Sequence, residues 1–217
     1  MRTRVKICCI ASTTEAQLAV TAGADALGLV SDMLVGSGVV DDALIRQIAT
    51  AAPPPVSRFL LTRCLEPQGI VDHVRQTGVD TVQIVDHVEP SVHRAVREAL
   101  PGLRIVQVVH VTGPEAIDRA KTYGRSAHAV LLDSGSPGAD FEELGGTGRT
   151  HDWRISEQIV QSCDAPVWLA GGLNPTNVSE AIRTVRPFGV DLCSGVRTDG
   201  RLDPDKLTAF VAAVEAA

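Results

Sequence analysis

Aromatic side chains are scarce: two tryptophans, one tyrosine and four phenylalanines make up 3% of 217 residues. With so few stacking platforms and a net charge of −6, the chain lacks the basic, aromatic footprint of a general nucleic-acid surface. No apolar run approaches the roughly 18 residues that crossing a bilayer requires, so no membrane span is expected. The five cysteines, at positions 8, 9, 64, 163 and 193, are odd in number and show no C-x-x-C spacing. Neither a disulfide framework nor a zinc ribbon is indicated, and a reducing compartment is expected. Arg2, Arg4 and Lys6 precede an apolar stretch, 7–10, too short for a signal-peptide core, which reads as a mature cytoplasmic protein.

What is present is ordinary globular composition, 44% hydrophobic and 21% charged, long enough for a sizeable core and read as one domain over 1–217. Short segments rich in Val, Ile and Leu predict strands at 4–9, 25–30, 56–61, 81–85, 104–109, 127–133, 166–170 and 190–194. Between them run amphipathic patterns such as Val178, Ala181, Ile182 and Val185, spaced for one face of a helix. Eight β/α pairs in this length fit a compact (β/α)8 TIM barrel better than an open doubly wound sheet, which more often has about five or six strands. No internal repeat or Ser/Gly linker divides the chain, and the prolines at 53, 54 and 55 read as a stiff connection. The connection after Asp133 runs as far as Asp152, and loops of that length in a compact domain are usually functional, here as a candidate lid.

Two constellations carry chemistry. Ala170-Gly171-Gly172-Leu173-Asn174-Pro175 ends the seventh strand, with Asn174 suited to a helix N-cap and Pro175 to the first helical position. Ser194-Gly195 ends the eighth strand, and Gly145-Gly146-Thr147-Gly148 lies in the long loop. Loops after strands seven and eight are the usual phosphate site of such a barrel, so Gly146, Gly148, Gly171, Gly172, Asn174, Ser194 and Gly195 are candidate anion-binding positions; read singly, each glycine could equally serve a tight turn. The second constellation is Cys8 at the end of strand one with Asp133 at the end of strand six. Alternation predicts that only one of Cys8 and Cys9 reaches the lumen. A strand cysteine is more often a small buried hydrophobe, and Asp133-Ser134-Gly135 also fits an Asx-turn. Of the histidines, His73 and His93 fall in helical patterns and are expected to be solvated, His128 opens a strand, and His87, His110 and His151 are placed to reach the rim. None has ligand spacing, so no metal is expected.

The chain resembles the phosphoribosylanthranilate isomerase family of tryptophan biosynthesis along its whole length. The residues carrying the likeness are Lys6-Ile7-Cys8, Gly23 to Gly28, Val82-Gln83, Leu131-Leu132-Asp133, Gly145 to Trp153, Ala170 to Pro175, and Gly189-Val190-Asp191 followed by Ser194-Gly195-Val196. The resemblance implies a cofactor-free barrel of the ribulose-phosphate-binding type. Its implied activity is an Amadori rearrangement of a small phosphorylated sugar, with Cys8 as general base and Asp133 as general acid. Lys6 shares the face of Cys8 and needs a buried partner, for which Asp191 is the candidate; Gln83 matches the family motif of strand four.

The likeness fails on one side. The family's arginine after strand two, which clamps the anthranilate carboxylate, corresponds to Gly38 within Gly36-Ser37-Gly38-Val39-Val40. Strand three reads Leu60-Leu61-Thr62-Arg63-Cys64 where the family has Gly-Val-Phe-Val-Asn, strand four ends Ile84-Val85-Asp86 where it has Leu-His-Gly, and Arg197 replaces a glutamate. Arg58 or Arg63 would have to replace the lost clamp. The alternatives are an isomerase of the same type acting on a different aglycone, a non-catalytic phosphosugar-binding paralogue, and, more remotely, a metal-dependent epimerase. The sequence carries no signal for oligomeric state.

Overall fold

Each apolar segment becomes a strand whose two faces have different partners, because alternate side chains point to opposite sides of the pleat. A computed structural model describes residues 2–31, 38–135 and 150–217. Its strands are β1 (Arg4–Ile7), β2 (Ala26–Val30), β3 (Ser57–Thr62), β4 (Thr81–Ile84), β5 (Arg104–His110), β6 (Ala129–Asp133), β7 (Val167–Leu169) and β8 (Gly189–Leu192). They pair in parallel and in chain order, and β8 returns to β1, closing the barrel. The crossovers are α1 (Thr13–Thr21), α2 (Asp42–Ala51), α3 (Pro67–Thr77), α4 (Pro90–Ala99), α5 (Glu115–Gly124), α6 (Trp153–Ser162), α7 (Val178–Val185) and α8 (Pro204–Glu215). All eight expected strands form, with ends displaced by one or a few residues where the ladder loses its neighbour.

Helix starts follow local chemistry. Ser12, Asp41, Asp152 and Asp203 each accept a backbone N–H from the first turn, and Pro67, Pro90 and Pro204 open their helices at a position with no bond to lose. Outward strand residues such as Leu27, Leu29, Leu60, Val82, Ile105, Val130 and Val190 pack with the helices into one large core. Inward residues, among them Ala26, Phe59, Leu61, Val106, Leu131 and Trp168, fill the lumen. Three of the aromatics meet at the N-terminal end, where Trp168 packs edge-on against Phe59 at 5.8 Å and Phe188 at 5.5 Å. A cavity of about 510 Å³ opens there, lined by Arg4, Arg104, Phe188 and others, at the end opposite the functional loops.

Two expectations need correction. His93 is fully buried, not solvated: its Nδ1 pairs with Ser126 Oγ at 2.8 Å and its Nε2 with Gln107 Oε1 at 2.9 Å, a polar bridge between α4 and the outer face of β5. His73 is likewise held, 3.0 Å from Asp42. Arg197 is not a free rim charge either. It is buried, bonded to both carboxylate oxygens of Glu15 at 3.1 and 3.0 Å and to the Gly200 carbonyl at 2.9 Å, and its Nη2 donates to the Cys9 carbonyl. It ties the segment after β8 to the turn after β1.

Burial pushes the Glu15 carboxyl up, but Arg197 and two backbone N–H groups outweigh it and hold it below 4.5. Its contribution is therefore present above the ordinary carboxylate value and lost as pH falls below it. Arg197→Ala is expected to lower unfolding stability by about 3 kcal/mol at pH 7, measured by urea titration, because it strands a part-buried carboxylate. The loss should shrink as pH falls through the carboxylate range, where Glu15 in the variant takes a proton; a loss independent of pH would refute the charge argument.

Candidate active site at the C-terminal mouth of the barrel

The mouth is organised by one ion pair. Lys6 on β1 and Asp191 on β8 are register partners across the seam, and Lys6 Nζ donates to Asp191 Oδ2 at 2.8 Å with both side chains out of solvent. Burial alone would lower the Lys6 ammonium, but Asp191 and the nearby Cys8 thiol raise it above the ordinary lysine value, so it stays charged. The other carboxylate oxygen, Asp191 Oδ1, is buried without a partner.

Cys8 extends β1 by one bond, its N–H donating to the Leu192 carbonyl at 2.9 Å. Its thiol faces the lumen against Gly28 of β2. A Cβ there would lie 2.6 Å from Cys8 Sγ and 3.0 Å from Lys6 Nζ, so a bare backbone is what leaves room for the thiol and the ammonium together. The expected opposition of Cys8 and Cys9 does not hold. Cys9 leaves the strand at φ +62°, so alternation no longer applies, and it packs in the same buried cluster as Cys8, beside Cys193. Hydrogen bonding to Cys193 and Cys8, with burial, pushes the Cys9 thiol up, whereas the bond from Cys9 and the Arg197 charge draw the Cys193 thiol down against its burial.

Asp133 ends β6 on the lumen side. Its Oδ1 accepts the N–H of the next residue, Ser134, at 2.7 Å, which is one residue short of the span of an Asx-turn. Burial dominates, aided by the Asp191 charge and opposed by the Ser134 bond and Lys6, and pushes the carboxyl up to about 6. Such a group keeps its proton up to about pH 6, well above an ordinary carboxyl, and can give it away there.

The glycine turns converge. Gly171 and Gly172 sit at φ +86° and +64°, conformations that L side chains rarely adopt. A Cβ on Gly171 would meet Ser134 Oγ at 2.8 Å, and one on Gly195 would meet the Leu173 carbonyl at 2.1 Å, so the loops after β6, β7 and β8 touch through bare backbone. The N–H groups of Gly171 and Gly172 bond to no described residue. Asn174 is not the helix N-cap. Its Oδ1 takes Thr176 N–H at 2.9 Å and Thr176 Oγ1 at 2.6 Å, making a separate turn, and α7 begins three residues later behind Asn177. Asn177, missed in the sequence, braces that turn by accepting Asn174 N–H and donating to the Gly172 carbonyl, both at 2.9 Å. Ser194 and Gly195 start a short 3-10 turn over Ser194–Val196. Gly146, Gly148 and the candidate lid lie outside the described residues.

Residues 5–213 match the family model of N-(5'-phosphoribosyl)anthranilate (PRA) isomerase. An N-(5'-phosphoribosyl)anthranilate isomerase of Methanocella arvoryzae is 36% identical, covering 92% of this chain and 91% of that protein. The phosphoribosyl anthranilate isomerase structure from Thermotoga maritima superposes with a TM-score of 0.82 at 30% identity, over 99% of this chain and all of that one. Another, solved in complex with reduced 1-(o-carboxyphenylamino)-1-deoxyribulose 5-phosphate, has a TM-score of 0.81 at 29% identity with the same coverage. The chain belongs to the phosphoribosylanthranilate isomerase family.

The side on which the chain departs from its family is explained by packing. Gly38 has no space for an arginine: at φ +77°, its Cβ would stand 2.3 Å from the Cys9 carbonyl oxygen. Arg58 is not a substitute. It lies near the start of β3 on the outward face, held by Asp80 at 2.7 Å from Nε, at the wrong end of the barrel. Arg63 shares the lumen parity of Phe59 and Leu61 just past the end of β3, its Nε fixed by Asp86 at 2.9 Å. Gln83 is buried on the lumen face of β4 and its Oε1 has no partner. His110, expected only near the rim, is buried at the end of β5 in register with Asp133. Among the described residues, no group of three His, Cys, Asp or Glu could hold a metal ion, and no helix is long and apolar enough to cross a membrane.

Because the folded Asp133 carboxyl sits near 6, above the ordinary 3.8, its stabilising contribution is complete below about 4 and is lost as pH rises through 6. Asp133→Asn removes the cost of a buried negative charge. The variant is expected to melt above the wild type at pH 8 and level with it at pH 4 in calorimetric scans; equal melting at pH 8 would contradict the buried-charge account.

Proposed function

We propose that residues 1–217 act as one cytoplasmic domain that converts N-(5-phosphoribosyl)anthranilate into 1-(2-carboxyphenylamino)-1-deoxyribulose 5-phosphate, a step of tryptophan biosynthesis. The observation that carries the reading is the buried Lys6–Asp191 pair at the barrel mouth, with Cys8 Sγ and Lys6 Nζ packed side by side against Gly28 and Asp133 ending β6 on the lumen side. Burial, aided by the Asp191 charge, pushes the Asp133 carboxyl up.

The chemistry follows from their states. Asp133 gives its proton to the furanose ring oxygen; the ring C1–O bond breaks, and the amine lone pair forms the C1=N iminium. Cys8, as thiolate, removes the C2 proton, and the electron pair moves through C1 to nitrogen, giving a neutral enolamine that tautomerises to the ketone. Lys6 supplies the positive charge beside the thiolate. The substrate phosphate sits on the turns at Gly171, Gly172, Asn174, Ser194 and Gly195, with Gly146 and Gly148 from the long loop. Holding that remote group orients the sugar between acid and base, an effect that can reach about 7 kcal/mol or more in well-arranged systems. Arg63 takes the anthranilate carboxylate: Asp86 orients its guanidinium through Nε and leaves the terminal nitrogens for a bidentate contact.

In a fluorescence assay with freshly made phosphoribosylanthranilate, Cys8→Ser and Asp133→Asn are each expected to lower kcat by about 100-fold or more. Wild-type kcat/KM should fall as pH rises through about 6, where Asp133 loses the proton it must donate. An inactive wild type, or an active Asp133→Asn variant, would overturn the assignment. Arg63→Ala should raise KM by roughly 10-fold or more, as loss of a charged hydrogen-bonding partner implies. An unchanged KM would remove Arg63 from the carboxylate site.

A further inference from the structure

The mechanism leaves a buried side chain at the end of β5 without a role. His110 closes β5 at a lumen position, following Val106 and Val108 of the inward cluster, and is 3% exposed. Its Nε2 lies 3.1 Å from the Val85 carbonyl, which can only accept, so Nε2 carries the hydrogen and Nδ1 presents a lone pair. That Nδ1 is buried and has no partner among the described residues. Burial, the main influence, pushes the imidazole below its ordinary value against the Val85 bond, so the ring is neutral. A buried acceptor left unmade is costly, and this one, like Gln83 Oε1 on β4, is free to take a ligand donor. The ring nitrogens diverge, so with Nε2 aimed at β4 the Nδ1 lone pair is directed away from it; on the other side of β5 stands Asp133, in register with His110.

The order of groups along the wall matches the order of groups in the substrate. The glycine turns on β7 and β8 take the phosphate, Asp133 on β6 meets the ring oxygen, and the next strand, β5, faces the substituent on C1. That substituent is the secondary amine, whose N–H is the donor that a lone-pair nitrogen requires. Resting on the function proposed above, we infer that His110 is a further catalytic residue, whose Nδ1 accepts the substrate amine N–H and strengthens that bond as the amine becomes an iminium. In the ground state the bond joins two neutral groups. Once Asp133 has protonated the ring oxygen, the same N–H carries positive charge and the hydrogen bond becomes charge-assisted, so it stabilises the ring-opening transition state more than the bound substrate. No proton moves to His110; it returns to a neutral contact when Cys8 takes the C2 proton.

Two substitutions separate this role from a structural brace. His110→Gln keeps a donor for the Val85 carbonyl but has no acceptor at the Nδ1 position, whereas His110→Asn keeps an acceptor there and gives up the Val85 bond. In the phosphoribosylanthranilate assay, His110→Gln is expected to lose about 10- to 100-fold in kcat with a smaller change in KM, and His110→Asn to retain most of the activity. Affinity for reduced 1-(o-carboxyphenylamino)-1-deoxyribulose 5-phosphate, an amine that cannot become the iminium in the site, should change less than kcat does. The inference is overturned if His110→Gln turns over like the wild type, or if His110→Asn fails and His110→Gln does not, since that order marks a brace for Val85. A wild type without turnover defeats the functional reading, and this inference with it.

Discussion

An ammonium and a carboxylate taken out of water together, Lys6 and Asp191, set the terms for everything at the mouth of this barrel. They sit opposite one another across the β1–β8 seam, so the strands that close the cylinder also carry its buried charge. Desolvating such a pair is expensive, and a well-packed apolar pair would often be at least as stable. Here Asp191 Oδ1 is left unsatisfied, so the pair is incomplete as a stabilising device. Its consequence is electrostatic: positive charge beside the Cys8 thiol and negative charge near Asp133, which burial has already pushed towards the neutral form. One buried pair thus brings charge of both signs to the strand ends.

Around that pair the barrel divides labour by strand. The β6, β7 and β8 loops pack on each other through Gly171 and Gly195 so closely that side chains are shut out, and the N–H groups of Gly171 and Gly172 bond to no described residue. The turn after β1 is fixed from behind: Arg197 binds Glu15 and the Cys9 carbonyl, and the left-handed Cys9 turns the chain immediately after Cys8. Strained backbone beside a reacting group persists only where the surroundings over-determine it, and the Arg197 anchor does that here. At the other end of the lumen Phe59 and Phe188 pack edge-on against Trp168, which commits three of the scarce aromatic residues to the floor of the barrel.

The half of the mouth formed by β3, β4 and β5 is where this chain parts from its family. With Gly38 pressed on the Cys9 carbonyl, a charged clamp cannot come from the loop after β2. Arg63, held by Asp86, stands just past the end of β3, and among the described residues two buried lumen acceptors, Gln83 Oε1 and His110 Nδ1, have no partner. A wall offering one cation and two acceptors suits a ligand with a carboxylate at one end and hydrogen-bond donors near its centre.

Much of this was legible in the chain alone. The short Val-, Ile- and Leu-rich segments and the helical spacing between them determine eight strand–helix units, and the residues around Cys8, Asp133 and the glycine turns single out the candidate site. The parity of Lys6 and Cys8 pointed to Asp191 as a buried partner. Other features depended on contacts between residues far apart in sequence. Whether Arg58 or Arg63 reaches the mouth turns on which end of β3 each occupies, and the burial of His93 on a helix facing Gln107. Cys9 joined Cys8 through one positive φ that no composition signals, and Asn174 yielded the helix start to Asn177 through competing side-chain bonds. His110 became conspicuous only when its two nitrogens were seen in place, one bonded and one not. Periodicity records which face of an element avoids water; which polar atoms are then left without a partner is set by three-dimensional packing, and that was decided by the tertiary structure alone.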